Sequence, residues 1–172
     1  MDSFTNNILL SNLTRIRWVA IIGQFTAIIF VFYYLNIKIP IYFCLLVILV
    51  SVIINSFSFL KSKADKYLSD KQAFSFLIFD TIQLSILLYL TGGIYNPFSL
   101  LLIAPLIISA SYLPIFYSIC LLLLSLLNVI IISKFFIQIQ WNQLFEVPLY
   151  FAYGLTIALV ISLVFIFIYV YL

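Results

Sequence analysis

The chain has 172 residues, of which 66% are hydrophobic and 8% charged, with a mean hydropathy of +1.30. A water-soluble domain of this size must present a largely polar exterior, so this composition excludes one. The net charge of +3, carried by scattered Lys and Arg, gives no basis for a nucleic-acid-binding face. The complete lack of histidine excludes imidazole acid–base chemistry and His-rich metal sites.

Apolar runs of about 20 residues recur, each long enough at ~1.5 Å per residue to cross a hydrocarbon core of ~30 Å as a helix. Sustained apolar–polar alternation is missing, which argues against a membrane barrel. The expected fold is therefore all-α, an integral membrane bundle of six helices. Residues 1–15 precede the first helix, expected over about 16–35 and opened by Arg15, Arg17 and the interfacial residue Trp18. A turn from Asn36 to Pro40, carrying Lys38, leads to a second helix over about 41–60. The one strongly polar stretch, Lys61 to Gln72, holds four lysines with Asp65 and Asp70.

A third helix over about 73–90 ends at Thr91-Gly92-Gly93, and a fourth is expected over about 97–112. Pro114 marks a tight turn into a fifth over about 115–137. After the polar stretch Gln138 to Glu146, which contains Trp141, a sixth covers about 147–172. Cys44 and Cys120 fall inside apolar runs and read as small buried side chains, not as a metal or redox pair. The first apolar run lacks a small-residue cleavage pattern and does not read as a removable signal. Segments two and five share a Tyr-x(1–2)-Cys-Leu-Leu opening, compatible with an inverted repeat but within what Leu- and Ile-rich runs give by chance.

Basic residues set the expected orientation. Arg15, Arg17, Lys61, Lys63, Lys66 and Lys71 fall on one side and Lys38 and Lys134 on the other, six against two. This places the N-terminus in the cytoplasm of a bacterial inner membrane, the C-terminus on the same side after six crossings, and the Gly92–Phe98 connection outside. The sixth helix runs to Leu172 without a charged anchor, so further cytoplasmic chain is expected beyond it.

Two places carry polar chemistry within this apolar background. On the third helix, Asp80, Gln83, Leu87 and Thr91 fall within about 80° of one another at ~100° per residue, with Tyr89 opposite. A carboxylate at that depth is costly and must face the bundle interior, paired or protonated. It serves either a helix–helix hydrogen bond to Asn55, Gln24 or Asn128, or a proton- or ligand-linked role. The second place is the connection Thr91-Gly92-Gly93-Ile94-Tyr95-Asn96-Pro97-Phe98. Gly92 and Gly93 suit a helix stop with positive φ, Asn96 suits an N-cap, and Pro97 suits the first helical position. A compact hairpin explains those residues. A binding turn also fits, in which open backbone N–H groups and the aromatics Tyr95 and Phe98 receive a ring with carbonyl oxygens and a long apolar tail.

Gly92-Gly93-Ile94-Tyr95-Asn96-Pro97-Phe98 resembles the GGxxNPF heptad of the RegB/PrrB/ActS redox-responsive sensor histidine kinases. Arg15-Ile16-Arg17-Trp18 with Gly23-Gln24 is similar to that family's first membrane helix. Leu68-Ser69-Asp70, Phe79-Asp80, Gln83-Leu84 and Leu87-Leu88-Tyr89-Leu90-Thr91 are similar to its third, and Ala104-Pro105 and Ser109-Ala110 to its fourth. The resemblance covers about residues 10–115; the last two segments match only as apolar helices.

It implies a six-helix membrane sensor of a two-component system that binds ubiquinone or another quinone through Gly92, Gly93, Asn96, Pro97 and Phe98, to which the reading of the turn's own residues adds Tyr95. Asp80, Gln83 and Thr91 would lie behind that site as switch or packing residues. It also implies a homodimer, a cognate response regulator as partner, and a cytoplasmic kinase using ATP and magnesium. The phosphoacceptor histidine, nucleotide site and redox-active cysteine of that cytoplasmic part are absent from these 172 residues. Two other classes stay open on the residues alone: a small proton- or ion-coupled transporter component using Asp80, and a structural subunit without a ligand.

Overall fold

The computed structural model describes residues 10–34, 37–61, 67–138 and, in the last segment, 155, 156, 159, 160 and 163. The fold is all-helical, with no strand among the described residues. Five α-helices follow in order: α1 Leu10–Ile29, α2 Ile41–Lys61, α3 Asp70–Leu90, α4 Ile103–Tyr112 and α5 Ile115–Lys134. Four spans, Leu13–Tyr34, Ile41–Leu60, Asp70–Leu90 and Ile115–Lys134, are long and apolar enough to cross a membrane, and Phe98–Tyr112 is a shorter apolar helix. Their outer faces expose large apolar side chains such as Val19, Tyr42, Phe43, Phe57 and Phe116, a surface that lipid accommodates and water does not. This is a multi-pass membrane protein.

The expected sixth helix, 147–172, lies outside the described residues except for the five named above, which are helical. Among these, Leu159 and Leu163 are fully buried and pack with Leu84 and Leu88 of α3 and Val129 and Ile132 of α5.

Within the described helices α5 ends at Lys134, where Phe135 turns extended, three residues short of expectation, and three other boundaries differ, each for a local reason. First, α1 begins at Leu10, burying Leu10 and Leu13 against Leu68, Ala73 and Leu77, and closes in a π-helical turn over Phe30–Tyr34. Second, α3 begins at Asp70, because Ser69 makes a reciprocal capping box with Gln72 and Asp70 sits favourably in the first turn. Third, the expected fourth helix is divided into a 3₁₀ stretch, Pro97–Leu102, followed by α4. Pro105 explains the division: its missing N–H and its ring are tolerated in the first turn of an α-helix and not further in. An α-helix starting at Pro97 would place Pro105 in its interior; starting at Ile103 places it in the first turn.

The packing is centred on α3, which touches α2, α4 and α5, while α1 packs along α2 and approaches α3 closely at few points. Most hydroxyls bond the carbonyl four residues back in their own helix, as Thr81, Ser85 and Thr91 do. Few polar contacts tie helices to each other. Asn55 donates to the Thr14 carbonyl (3.1 Å), and Ser109 and Ser118 share a hydrogen bond (2.7 Å) between α4 and α5. Two more bridge α1 and α3.

Candidate functional site

Gly92 and Gly93 end α3 with φ of 101° and 60°, the left-handed region in which glycine alone is unstrained. The chain then makes one 3₁₀ turn, Gly93–Tyr95, before Asn96 caps the next stretch. The Asn96 side-chain oxygen Oδ1 accepts from the Phe98 N–H (2.9 Å). Its amide nitrogen donates to the Thr91 hydroxyl (2.7 Å) and carbonyl (3.2 Å). Asn96 thus closes both ends of the connection, as expected for an N-cap.

Gly93 has a role that its place in the motif did not reveal. A Cβ there would lie 2.5 Å from the Ile132 carbonyl oxygen and 2.6 Å from the Phe136 side chain. The end of α5 therefore packs directly on the backbone of the turn. Ile137 N–H donating to the Tyr89 carbonyl (2.9 Å) and an edge contact of Tyr95 with Phe136 fasten the same junction. Close packing accounts for glycine at this position.

Thr91, Tyr95, Asn96 and Phe98 line one end of a cavity of about 570 Å³ between α1, α3 and the Pro97–Tyr112 stretch. That volume is in the range of pockets that hold cofactors and other small molecules. Its α1 wall is made low by Ala20, Gly23 and Ala27, and a Cβ at Gly23 would meet nothing within 4 Å. Ile16 and Val19 line it and are exposed, so it opens to the apolar exterior of the bundle.

Asp80 and Gln83 line the same cavity and make its two bridges. Gln83 and Gln24 exchange amide hydrogen bonds (2.9 and 3.4 Å), so Gln24, expected as a partner of Asp80, pairs with Gln83 instead. Asp80 does not bond an amide. Its carboxylate accepts from the Arg17 Nε at 2.9 Å, an ion pair between residues 63 apart in sequence. Arg17, expected at the membrane interface, is buried within the bundle, its guanidinium carbon 5.0 Å from the Phe76 ring centre and 5.4 Å from that of Phe79. Sequence reasoning missed this residue because an Arg beside Trp18 at a helix start reads as an interfacial anchor. The available signal was stoichiometric: one intramembrane acid calls for one cation. Without Arg17 the remaining basic residues still divide five against two.

Asn128, another expected partner for the stripe, is not joined to Asp80 or Gln83, and Asn55 serves α1 instead. Cys44 is buried and Cys120 half-buried, both as free thiols. Among the described residues no cluster of His, Cys, Asp or Glu is arranged to hold a metal.

Over 162 residues, 93% of its length, the chain is 33% identical to the sensor histidine kinase RegB of Cereibacter sphaeroides. Another RegB of that species is 34% identical over 76 residues, 44% of this chain. The matches cover 35% and 16% of those relatives, so the chain spans about a third of the length of the first. No protein-family model and no solved structure matches it.

Proposed function

Because this chain is related along nearly all its length to the RegB-like sensor kinase family, we propose that it is the quinone-sensing membrane portion of a two-component sensor histidine kinase. The observation that carries this reading is the cavity bounded by the Gly92–Phe98 turn: mainly apolar, open to the lipid-facing exterior, and furnished with a few convergent polar groups. A quinone reaches such a site by lateral diffusion from the bilayer. Phe98 is half-exposed at the cavity wall and is the residue of the heptad best placed to touch a ligand. Gly92, Gly93, Asn96 and Pro97 act by shaping the turn that presents Phe98 and Tyr95.

The signalling logic is differential binding. An oxidised quinone only accepts hydrogen bonds, whereas its reduced form also donates them. A ligand shifts a conformational equilibrium only by its difference in affinity between two states. Helices α1 and α3, bridged by two polar pairs across a cavity, form an arrangement that an occupant holds open or lets close. In the whole protein the consequence passes to a dimeric cytoplasmic kinase that uses ATP and magnesium and phosphorylates a response regulator. The basic-residue bias supports a cytoplasmic N-terminus in the bacterial inner membrane. The transporter alternative loses its main motive, since Asp80 is held by Arg17 instead of standing as a lone carboxylate.

The test is equilibrium binding of decylubiquinone to the purified chain in lipid nanodiscs. Wild type is expected to bind saturably, and Phe98→Ala to bind about tenfold more weakly, or ~1.4 kcal/mol. Equal binding by Phe98→Ala and Asn96→Ala would place any quinone site away from this turn.

A further inference from the structure

The cavity has two polar ends, and one of them carries fully buried hydrogen-bond donors without a partner among the described residues. At the turn, the Asn96 amide is committed to Thr91 and Phe98. One level along, the Gln24 and Gln83 amides are committed to each other. At the far end Arg17 gives only its Nε to Asp80. Both terminal guanidinium nitrogens, Nη1 and Nη2, are buried without a hydrogen-bond partner among the described residues. The Phe76 and Phe79 rings stabilise the charge but offer no acceptor atom. The Arg17 side chain is 5% exposed and lines the cavity; Asp80, on the same wall, keeps 25% of its side chain exposed. Unpaired donors on a buried cation are among the more costly omissions a membrane protein can carry.

We infer that the Arg17–Asp80 pair is the head-group end of this cavity, where the terminal N–H groups of Arg17 donate to a ring carbonyl of the oxidised quinone and Asp80 accepts from a hydroxyl of the reduced form. The inference rests on the quinone reading of the cavity and deepens it by placing the ring. Asp80 lies halfway along α3 and eleven residues before Thr91, about 16 Å from the turn along the helix axis at ~1.5 Å per residue. A single ring does not reach both ends. The ring therefore sits beside Arg17, and the isoprenoid tail runs past Gly23 and Ala27 toward Phe98 and the lipid. Arg17 and Asp80 then discriminate the redox forms, while the heptad guards the exit of the tail.

The experiment uses the full chain in nanodiscs with decylubiquinone and its quinol, and reads affinity together with the infrared carbonyl band of ¹³C-carbonyl-labelled quinone. Arg17→Gln is expected to lower affinity for the oxidised form about tenfold and to shift the bound carbonyl band, with Arg17→Lys intermediate. Asp80→Asn is expected to change the ratio of quinone to quinol affinity. Arg17→Met with Asp80→Leu removes both charges together, a replacement buried ion pairs tolerate, so it is expected to stay folded and to lose the discrimination. If Phe98→Ala weakens binding while the Arg17 variants match wild type in affinity and carbonyl band, the head-group assignment is overturned and the quinone site stands. If wild type binds neither form, both readings fall. Loss of stabilisation by phosphatidylglycerol in Arg17→Gln, with quinone binding intact, assigns the spare donors to a lipid head group and also overturns the proposal.

Discussion

Arg17 and Gly93 show how differently single residues yield to sequence reasoning. Gly93 was expected at a helix stop with positive φ, and φ is 60°. The neighbour that requires it to lack a side chain, the end of α5 near Ile132 and Phe136, is some forty residues away in sequence and left no local mark. Gly93→Ala is expected to lower stability by ~1–3 kcal/mol, from strain at positive φ and collision with the Ile132 carbonyl. Thermal unfolding in detergent checks this; an unchanged midpoint would mean that the end of α5 moves aside freely. The partner of Asp80 was hidden for a different reason. Helical periodicity placed Asp80 on an inward face correctly, but periodicity says nothing about which distant helix supplies the counter-charge. Truncating Arg17 to Ala leaves that carboxylate unpaired in the bundle, and a loss of ~3–5 kcal/mol is expected in the same assay.

At the level of helices, the apolar runs announced four membrane spans and the shorter fourth element with boundaries close to those found, because hydrophobic length is a property of contiguous sequence. The 3₁₀ stretch before α4 was not anticipated, although Pro105 was in plain view; what decides the matter is its distance from Pro97, too long for both to share one first turn. The cavity was not legible either, since it depends on Ala20, Gly23 and Ala27 facing α3 across a gap that the neighbouring packing leaves open. Gly23→Leu fills this space. It is expected to preserve stability to within ~1 kcal/mol, since leucine is the better helix former and a Cβ meets nothing there, while weakening decylubiquinone binding. Full binding by a stable Gly23→Leu protein would show that the ligand bypasses the gap. The Gln24–Gln83 bridge can be weighed by a double-mutant cycle to Ala, with an expected coupling of ~0.6 kcal/mol, typical for hydrogen bonds between membrane helices.

Among the described residues as a whole, polar ties between helices are few because most serines and threonines turn their hydroxyls onto their own helix. Register between helices then rests on apolar packing and a handful of polar ties, two of which cross the cavity. An occupant adds contacts where the bundle has few, so ligand should raise global stability by mass action: about 2.7 kcal/mol at a hundredfold excess over Kd. A melting point indifferent to saturating decylubiquinone would contradict specific binding to the folded state. The 3₁₀ stretch has a consequence of reach. Six residues at ~2.0 Å each cover about 12 Å, and the ten of α4 at ~1.5 Å add about 15 Å, so sixteen residues extend roughly 27 Å. Wound entirely as an α-helix they would extend roughly 24 Å. The stretched winding lets an element too short for the bilayer nearly match its thickness, and the gain falls in the stretch that holds Phe98.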